Sequence, residues 1–156
     1  MKSFFDKGSR LWVWGVLFLS SAVYAESPET AVKQTLKAYA AAIESMDITR
    51  VEQFVVTSRD FSVFENGHVN LGWLDYRDHH LAPELKAFQS IEYRYEDINV
   101  RAADRMAFAT LKYRLAIALK DRRISGKGLA TIVLQKHPEG WKILHIHTTR
   151  IPETKK

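Results

Sequence analysis

The sequence predicts an α+β domain in which helices cover one antiparallel sheet, and two observations support that prediction. In the part that follows residue 25, apolar residues first recur every three or four positions, which is typical of helices that pack on one side. From Ala109 they alternate instead, with Leu111, Tyr113 and Leu115 in one phase, which is typical of a strand with one buried face. Helices followed by strands on short turns indicate a layer of helices on an antiparallel sheet.

The first half of this domain is predicted to hold two helices and a hairpin. Ser27 can cap a helix over residues 28–46, and Asp47 can cap a short second helix over residues 48–55. Apolar and polar residues then alternate over residues 61–71 on both sides of an Asn-Gly pair. This pattern predicts a β-hairpin, because Asn-Gly readily adopts the tight turn that joins two antiparallel strands.

The second half is predicted to hold one more helix and four strands. The helix covers residues 73–88, and Pro83 should kink it or start a new helix, since proline lacks the backbone N–H that a helix needs. The first strand alternates imperfectly, which predicts a bulge near Glu96 and Asp97. The four strands are expected at residues 91–100, 109–119, 123–136 and 141–150.

Residues 1–25 are predicted to be a cleavable secretory signal. Basic residues precede a charge-free run at 11–24, which is shorter than the ~20 residues a membrane-spanning helix needs. Val23 and Ala25 occupy the −3 and −1 positions that signal peptidase recognises. The alternative is an uncleaved N-terminal anchor, which the short run disfavours. We therefore expect one domain over residues 26–156, in the periplasm or secreted, with no stable membrane span after cleavage.

Charge and cysteine content exclude several classes of function. The chain has no cysteine, so it can form neither a disulfide nor a thiolate metal site, and no thiol can act as a nucleophile. The net charge of +5 falls to +3 once the signal is removed, because that segment holds three basic residues and one acidic residue. The remaining basic residues are scattered among acidic ones, which argues against a nucleic-acid partner.

The closing strand and the middle helix resemble a known group. Trp141, Ile143, His145 and His147 form a Trp-x-Ile-x-His-x-His pattern, and the helix with YRDHHLAPEL follows a hairpin with FENG at its tip. Together they resemble the nuclear-transport-factor-2-like superfamily, and within it the SnoaL-like branch, over residues 28–150. The resemblance implies a cystatin-like cone, in which a curved antiparallel sheet wraps around N-terminal helices and a pocket, commonly in a homodimer.

The histidines are the candidate metal ligands. His145 and His147 lie two apart on a predicted strand and so share one face. His80 and Glu84 lie one turn apart on a predicted helix. If the helix covers the pocket, these four side chains could hold zinc, copper(II) or nickel, which accept nitrogen and oxygen donors. The alternative is a structural strand pair, because no compact ligand motif such as His-Glu-x-x-His is present.

Other residues are candidates for the wall of a small-molecule pocket. Asp75 and His79, four apart on the helix, could also form a dyad for base catalysis, although no nucleophile accompanies them. The alternatives are that most of the aromatic residues belong to the core and that His68 and Arg114 are solvated. The predicted pocket residues are Tyr39, His68, Trp73, His80, Arg114, His145 and His147.

Three functions therefore stay open. The first is an exported, dimeric domain that binds a small ligand or metal ion in its pocket. The second is a pocket enzyme of isomerase, cyclase or hydratase type, with His80 or His145 as the base. The third is an oligomerisation module without catalysis. The resemblance extends to ketosteroid isomerase and to the association domain of calcium/calmodulin-dependent kinase, but the isomerase's catalytic set is not matched onto this chain, and a shared fold does not decide the function.

Overall fold

Two capped helices open the domain in a computed structural model that describes residues 26–152. Helix α1 spans Pro28–Glu44 and helix α2 spans Ile48–Glu52. The Ser27 hydroxyl accepts a hydrogen bond from the backbone N–H of Thr30 at 3.2 Å, and the Asp47 carboxylate caps α2 in the same way. The predicted signal at residues 1–25 lies outside the described residues.

Both helices end earlier than the sequence pattern predicts. After α1 the backbone of Met46 has a φ of 53°, a left-handed conformation that cannot continue a right-handed helix. Helix α2 stops at Glu52, and Val55 instead forms an isolated parallel β-bridge with Ile143. The last residues of the predicted second helix are therefore not helical, because Val55 pairs with the sheet.

The predicted hairpin is confirmed. Strand β1 spans Ser62–Glu65 and pairs with β2, His68–Leu71, in antiparallel register. At the turn, Asn66 and Gly67 both have positive φ angles, 50° and 91°, as the two-residue turn of a tight hairpin requires. The turn thus fixes which residues of β1 and β2 face each other.

The middle helix is interrupted before Pro83, as predicted. Helix α3 spans Trp73–Tyr76, a π-helical turn spans Arg77–Leu81, and helix α4 spans Ala82–Ala87. Pro83 has no N–H to donate to the carbonyl four residues earlier, and its ring crowds that carbonyl. A wider π turn relieves this conflict, and such turns are frequent at functional sites.

One curved, unclosed sheet of six strands forms the rest of the domain. The strands are β3, Ser90–Ala103; β4, Met106–Ala118; β5, Arg123–His137; and β6, Gly140–Arg150. Their order is β2-β1-β6-β5-β4-β3, and neighbours are antiparallel except β1 and β6, which are parallel. The bulge predicted in β3 is confirmed by a register shift between Glu96 and Asn99. The α+β prediction holds, with this one parallel pair added.

The sheet has two faces with different surroundings. The inner face packs against the helices, and Ala109, Ile132 and Ile143 on it are completely buried. The outer face consists of the alternate side chains on the same strands, for example Phe64 and Phe108, which are exposed by 38% and 48%. Within residues 26–152, no helix combines the length and apolar character needed to cross a membrane.

Candidate functional site

A small pocket lies between the inner face of the sheet and the helices. Its cavity has a volume of about 130 Å³, which suits a ligand smaller than the drug-sized molecules that fill pockets of roughly 300–1,000 Å³. The wall is aromatic and aliphatic except for two carboxylates. It is lined by Tyr39, Ile43, Glu65, Tyr76, Leu81, Glu84, Leu85, Phe88, Ile91, Tyr93, Leu115 and Ile117.

Tyrosines give this pocket neutral hydrogen-bond donors. Burial raises the pKa values of Tyr39, Tyr76 and Tyr93 well above the ordinary value of a phenol. The Tyr93 hydroxyl lies 3.3 Å from that of Tyr95, to which it donates. The pocket tyrosines therefore stay protonated at neutral pH. The Tyr93 hydrogen is engaged by Tyr95, and the Tyr39 hydroxyl can donate to an oxygen atom of a ligand.

Glu65 brings a carboxylate to the pocket wall. It is the last residue of β1, and alternation along the chain places it on the inner face with Val63 and Phe61, both of which are buried. Burial raises the pKa of the Glu65 carboxyl; the positive charge of His80 lowers it, and the negative charge of Glu84 raises it. Its side chain is 34% exposed, so it borders both the pocket and solvent.

His80 lies beside this carboxylate, on the π-helical turn. Its Nε2 atom is 3.7 Å from Oε2 of Glu65 and 3.6 Å from Oε1 of Glu84. Its Nδ1 atom is 2.9 Å from Oδ1 of Asn70, and the Asn70 amide donates to Oδ2 of Asp75 at 3.1 Å. Glu84 chiefly raises the pKa of His80, and partial burial opposes this shift.

The other residues predicted near the pocket are distributed differently. Tyr39 lines the pocket, whereas Trp73 is buried in the core, where its indole N–H donates to Glu52 at 2.9 Å. His68 is exposed on the hairpin and borders a shallow surface depression together with His80. The predicted Asp75–His79 contact is present at 3.1 Å, with the histidine side chain 76% exposed.

His145 and His147 do share a face, but it is the outer face. Nδ1 of His145 lies 2.8 Å from the Ser62 hydroxyl, and the Phe64 ring centroid lies 4.9 Å and 6.0 Å from those of His145 and His147. The register of β6 against β5 shifts between Ile143 and His145, so one extra residue reverses the alternation. The histidines consequently lie opposite buried Ile143 and Ile146 and away from the pocket.

The predicted four-ligand metal site is therefore not assembled. His80 and Glu84 border the pocket, while His145 and His147 lie across the sheet from it. Over residues 26–152, no group of three or more His, Cys, Asp or Glu side chains could hold a metal ion. Arg114 is also outside the pocket, because it projects from the outer face and its Nε donates to both carboxylate oxygens of Glu96 at 2.8 and 2.9 Å.

Sequence reasoning missed two polar residues that contact His80 at this site, Glu65 and Asn70. Glu65 was visible in the pattern, because it has the same phase as Phe61 and Val63, and a carboxylate in phase with apolar residues marks an inward polar group. Asn70 carried no such signal, since its role depends on Asp75 and His80, which come from the segment after the hairpin.

Comparisons with known proteins agree with this architecture. The model of the SnoaL-like domain family matches residues 32–152. Among solved structures, a nuclear transport factor 2-like superfamily protein of Salmonella enterica is 18% identical, with a TM-score of 0.75 over 82% of this chain and 94% of that chain. A candidate dehydratase of the same family from Streptomyces avermitilis is also 18% identical, with a TM-score of 0.73 over 81% and 100%.

A third similar structure is the CamKII hub homology domain of Chlamydomonas reinhardtii, which is 17% identical with a TM-score of 0.65 over 81% of this chain and 100% of that chain. At these identities the likeness shows the fold alone. A comparison with curated protein sequences finds no match. The family match covers most of the chain, and the chain therefore belongs to the SnoaL-like domain family.

Proposed function

We propose that this protein binds a small neutral molecule in the tyrosine-lined pocket and exchanges a proton with it through Glu65. The observation that carries the proposal is the Glu65 carboxylate at the wall of a cavity lined mainly by aromatic and aliphatic side chains, with its pKa raised by burial. A carboxyl group with a raised pKa is a stronger base than an exposed one, and enzymes use such shifts for acid–base chemistry. Pockets with perturbed carboxylates are the usual place for such chemistry.

The tyrosines define the reaction class that fits this base. A ligand carbonyl that accepts a hydrogen bond from a tyrosine hydroxyl becomes more acidic at the adjacent carbon, because the donor stabilises the negative charge that develops on oxygen. Glu65 can then remove that proton. This chemistry underlies both isomerisation and dehydration, and the Streptomyces avermitilis relative is described as a candidate dehydratase. A role in binding alone is the second candidate, favoured by the small, largely apolar cavity.

The charge of the wall predicts which ligands are accepted. Glu65 and Glu84 line the pocket, and no lysine or arginine is among its lining residues in the described part of the chain. We expect cyclohexanecarboxamide to bind at least about tenfold more tightly than the similarly shaped cyclohexanecarboxylate, because an anion would lose hydration in a pocket whose wall carries two carboxylates and no lysine or arginine. Isothermal titration calorimetry measures both affinities. Equal or tighter binding of the carboxylate would contradict a pocket built for neutral ligands.

We also propose that the protein forms a homodimer through the outer face of the sheet. Large apolar side chains on that face are solvent-exposed in the single chain, and contiguous exposed apolar surface is typical of protein interfaces. The chain is similar to a hub homology domain, whose fold supports assembly in that protein. The exposed apolar residues of the outer face are Phe64, Val69, Leu71, Met106, Phe108 and Leu129.

A matched pair of substitutions tests the dimer. Phe108→Glu should convert a dimer to a monomer, because Phe108 lies on the outer face of β4 and a charge there would be buried in the interface without a partner. Leu74→Glu is the matched control: Leu74 is 59% exposed but lies on α3, so this substitution should leave the dimer intact. Size-exclusion chromatography with light scattering measures the mass. A monomeric wild type, or dissociation by both substitutions, would refute this interface.

Export is a further part of the proposal. It is supported by the basic start of the chain, the charge-free run at 11–24 and the small residues Val23 and Ala25 before the domain. Processing after Ala25 would release a cysteine-free domain whose stability needs no disulfide in an oxidising compartment. N-terminal sequencing of the protein recovered from the periplasm or medium would identify the cleavage site.

A further inference from the structure

We infer that His80 relays protons between Glu65 in the pocket and Glu84 at its rim, and that Asn70 and Asp75 are positioning residues that select the ring nitrogen for this task. The inference rests on the proposed role of Glu65 as the group that exchanges protons with a ligand. Its geometric basis is a continuous series of polar contacts from Asp75 to Asn70, His80 and the two glutamates.

The series begins at Asp75, which acts only as an acceptor. Its carboxylate accepts from the Asn70 side-chain amide at 3.1 Å and from the backbone N–H of Leu71 at 3.0 Å, and it contacts Nδ1 of His79 at 3.1 Å. These contacts hold the pKa of Asp75 below its usual range, so the group is ionised. An ionised carboxylate cannot donate, and the Asn70 NH₂ group must therefore face Asp75.

This orientation fixes the tautomer of His80. With the NH₂ group of Asn70 directed to Asp75, its Oδ1 faces Nδ1 of His80 at 2.9 Å. A carbonyl oxygen only accepts, so Nδ1 must carry a hydrogen in both the neutral and the protonated ring. Nε2 is then the nitrogen that gains and loses a proton. Orientation of a histidine through its second nitrogen is a common way to prepare it for chemistry.

Nε2 lies between an inner and an outer carboxylate. Glu65 lines the pocket with a side chain 34% exposed, and Glu84, one helical turn after His80, is 51% exposed. A proton taken by Glu65 from a ligand carbon can pass to Nε2, which gives an imidazolium ion and restores the Glu65 carboxylate. The imidazolium can then pass the Nε2 proton to Glu84, which releases it to water. Each transfer requires Nε2 of His80 and the glutamate oxygen to move from 3.6–3.7 Å to hydrogen-bond distance.

The first test reads the tautomer directly and needs no ligand. In long-range ¹H–¹⁵N spectra at a pH where the ring is neutral, wild-type His80 should carry its hydrogen on Nδ1. Asp75→Asn should produce a mixture of tautomers, because an amide at this position can also donate and no longer fixes Asn70. Asp78→Asn is the matched control, since Asp78 pairs with Arg77 at 2.7 Å. Hydrogen on Nε2 in the wild type, or equal changes in both variants, would overturn the inference.

The second test separates the relay from the proposed function. Glu84→Gln should slow the enzyme's exchange of a ligand C–H proton with solvent several-fold, whereas Glu92→Gln, a 73% exposed glutamate on β3, should not. If Glu65→Gln abolishes exchange while Glu84→Gln has no effect, the proposed function stands and the relay is refuted. If Glu65→Gln leaves exchange intact, the proposed function fails, and the relay from Glu65 fails with it even if His80 has the expected tautomer.

Discussion

Replacing Gly128 with alanine is expected to lower the free energy of unfolding by about 3 kcal/mol, the upper part of the range for overpacking a well-packed core. Gly128 lies on the inner face of β5, directly opposite Tyr113 of β4. An added Cβ would lie 2.3 Å from the backbone oxygen of Thr149 and 2.4 Å from two carbons of the Tyr113 ring. The backbone oxygen cannot move without shifting β6, so the strain must spread through the sheet. Urea unfolding followed by far-ultraviolet circular dichroism measures the change.

Gly126→Ala is the matched control for this prediction. Gly126 precedes Gly128 by two residues on the same strand and face, but its added Cβ would meet the Arg150 side chain at 3.5 Å and the Leu115 side chain at 3.6 Å, which are ordinary contacts. Alanine there should change stability by less than about 1 kcal/mol, since it also reduces the entropy of the unfolded chain. Equal losses for Gly126→Ala and Gly128→Ala would show that the crowding at Tyr113 is not the cause.

Local sequence patterns predict most of the helices and strands, because periodicity, caps and turn residues are features of positions close together in the chain. The hairpin follows from alternation around Asn66 and Gly67, and the long strands follow from alternation with short turns between them. The parallel pairing of β1 with β6 has no such signal. It joins Ser62 to His145, more than eighty residues later, and depends on how the whole sheet is assembled.

The site was less predictable because one extra residue in a strand reverses which of the following side chains face the pocket. Regular alternation from Trp141 and Ile143 would place His145 on the inner face with them. The bulge between Ile143 and His145 moves it to the outer face. Its sign in the sequence is weak, because only Ile146 follows in the other apolar phase and histidine is compatible with either face. By contrast, the inward position of Glu65 could be predicted from its phase, because β1 is regular over its whole length.

Replacing Glu65 with glutamine is expected to lower kcat/KM for proton exchange by about 10²–10⁴-fold, the usual contribution of a positioned general base. Glutamine keeps the shape of the side chain but cannot accept a proton at neutral pH. The assay follows deuterium incorporation next to the carbonyl of small cyclic ketones in D₂O by ¹H NMR. Binding of cyclohexanecarboxamide should change little, because the apolar and tyrosine wall of the pocket is untouched. A loss of binding equal to the loss of rate would indicate a purely structural role.

The pH dependence of this rate is a second, independent test of Glu65 as the base. Glu65 acts as a base only when it is ionised, and burial raises its pKa. On acidification, the wild-type rate should therefore begin to fall at a higher pH than it would with an ordinary carboxylate as the base. In Glu65→Gln this fall should be absent. Glu92→Gln, on the exposed outer surface of β3, should keep the wild-type profile. If the pH–rate profile of Glu65→Gln matched that of the wild type, the ionisation seen in the profile would belong to another residue, and that residue would be the base.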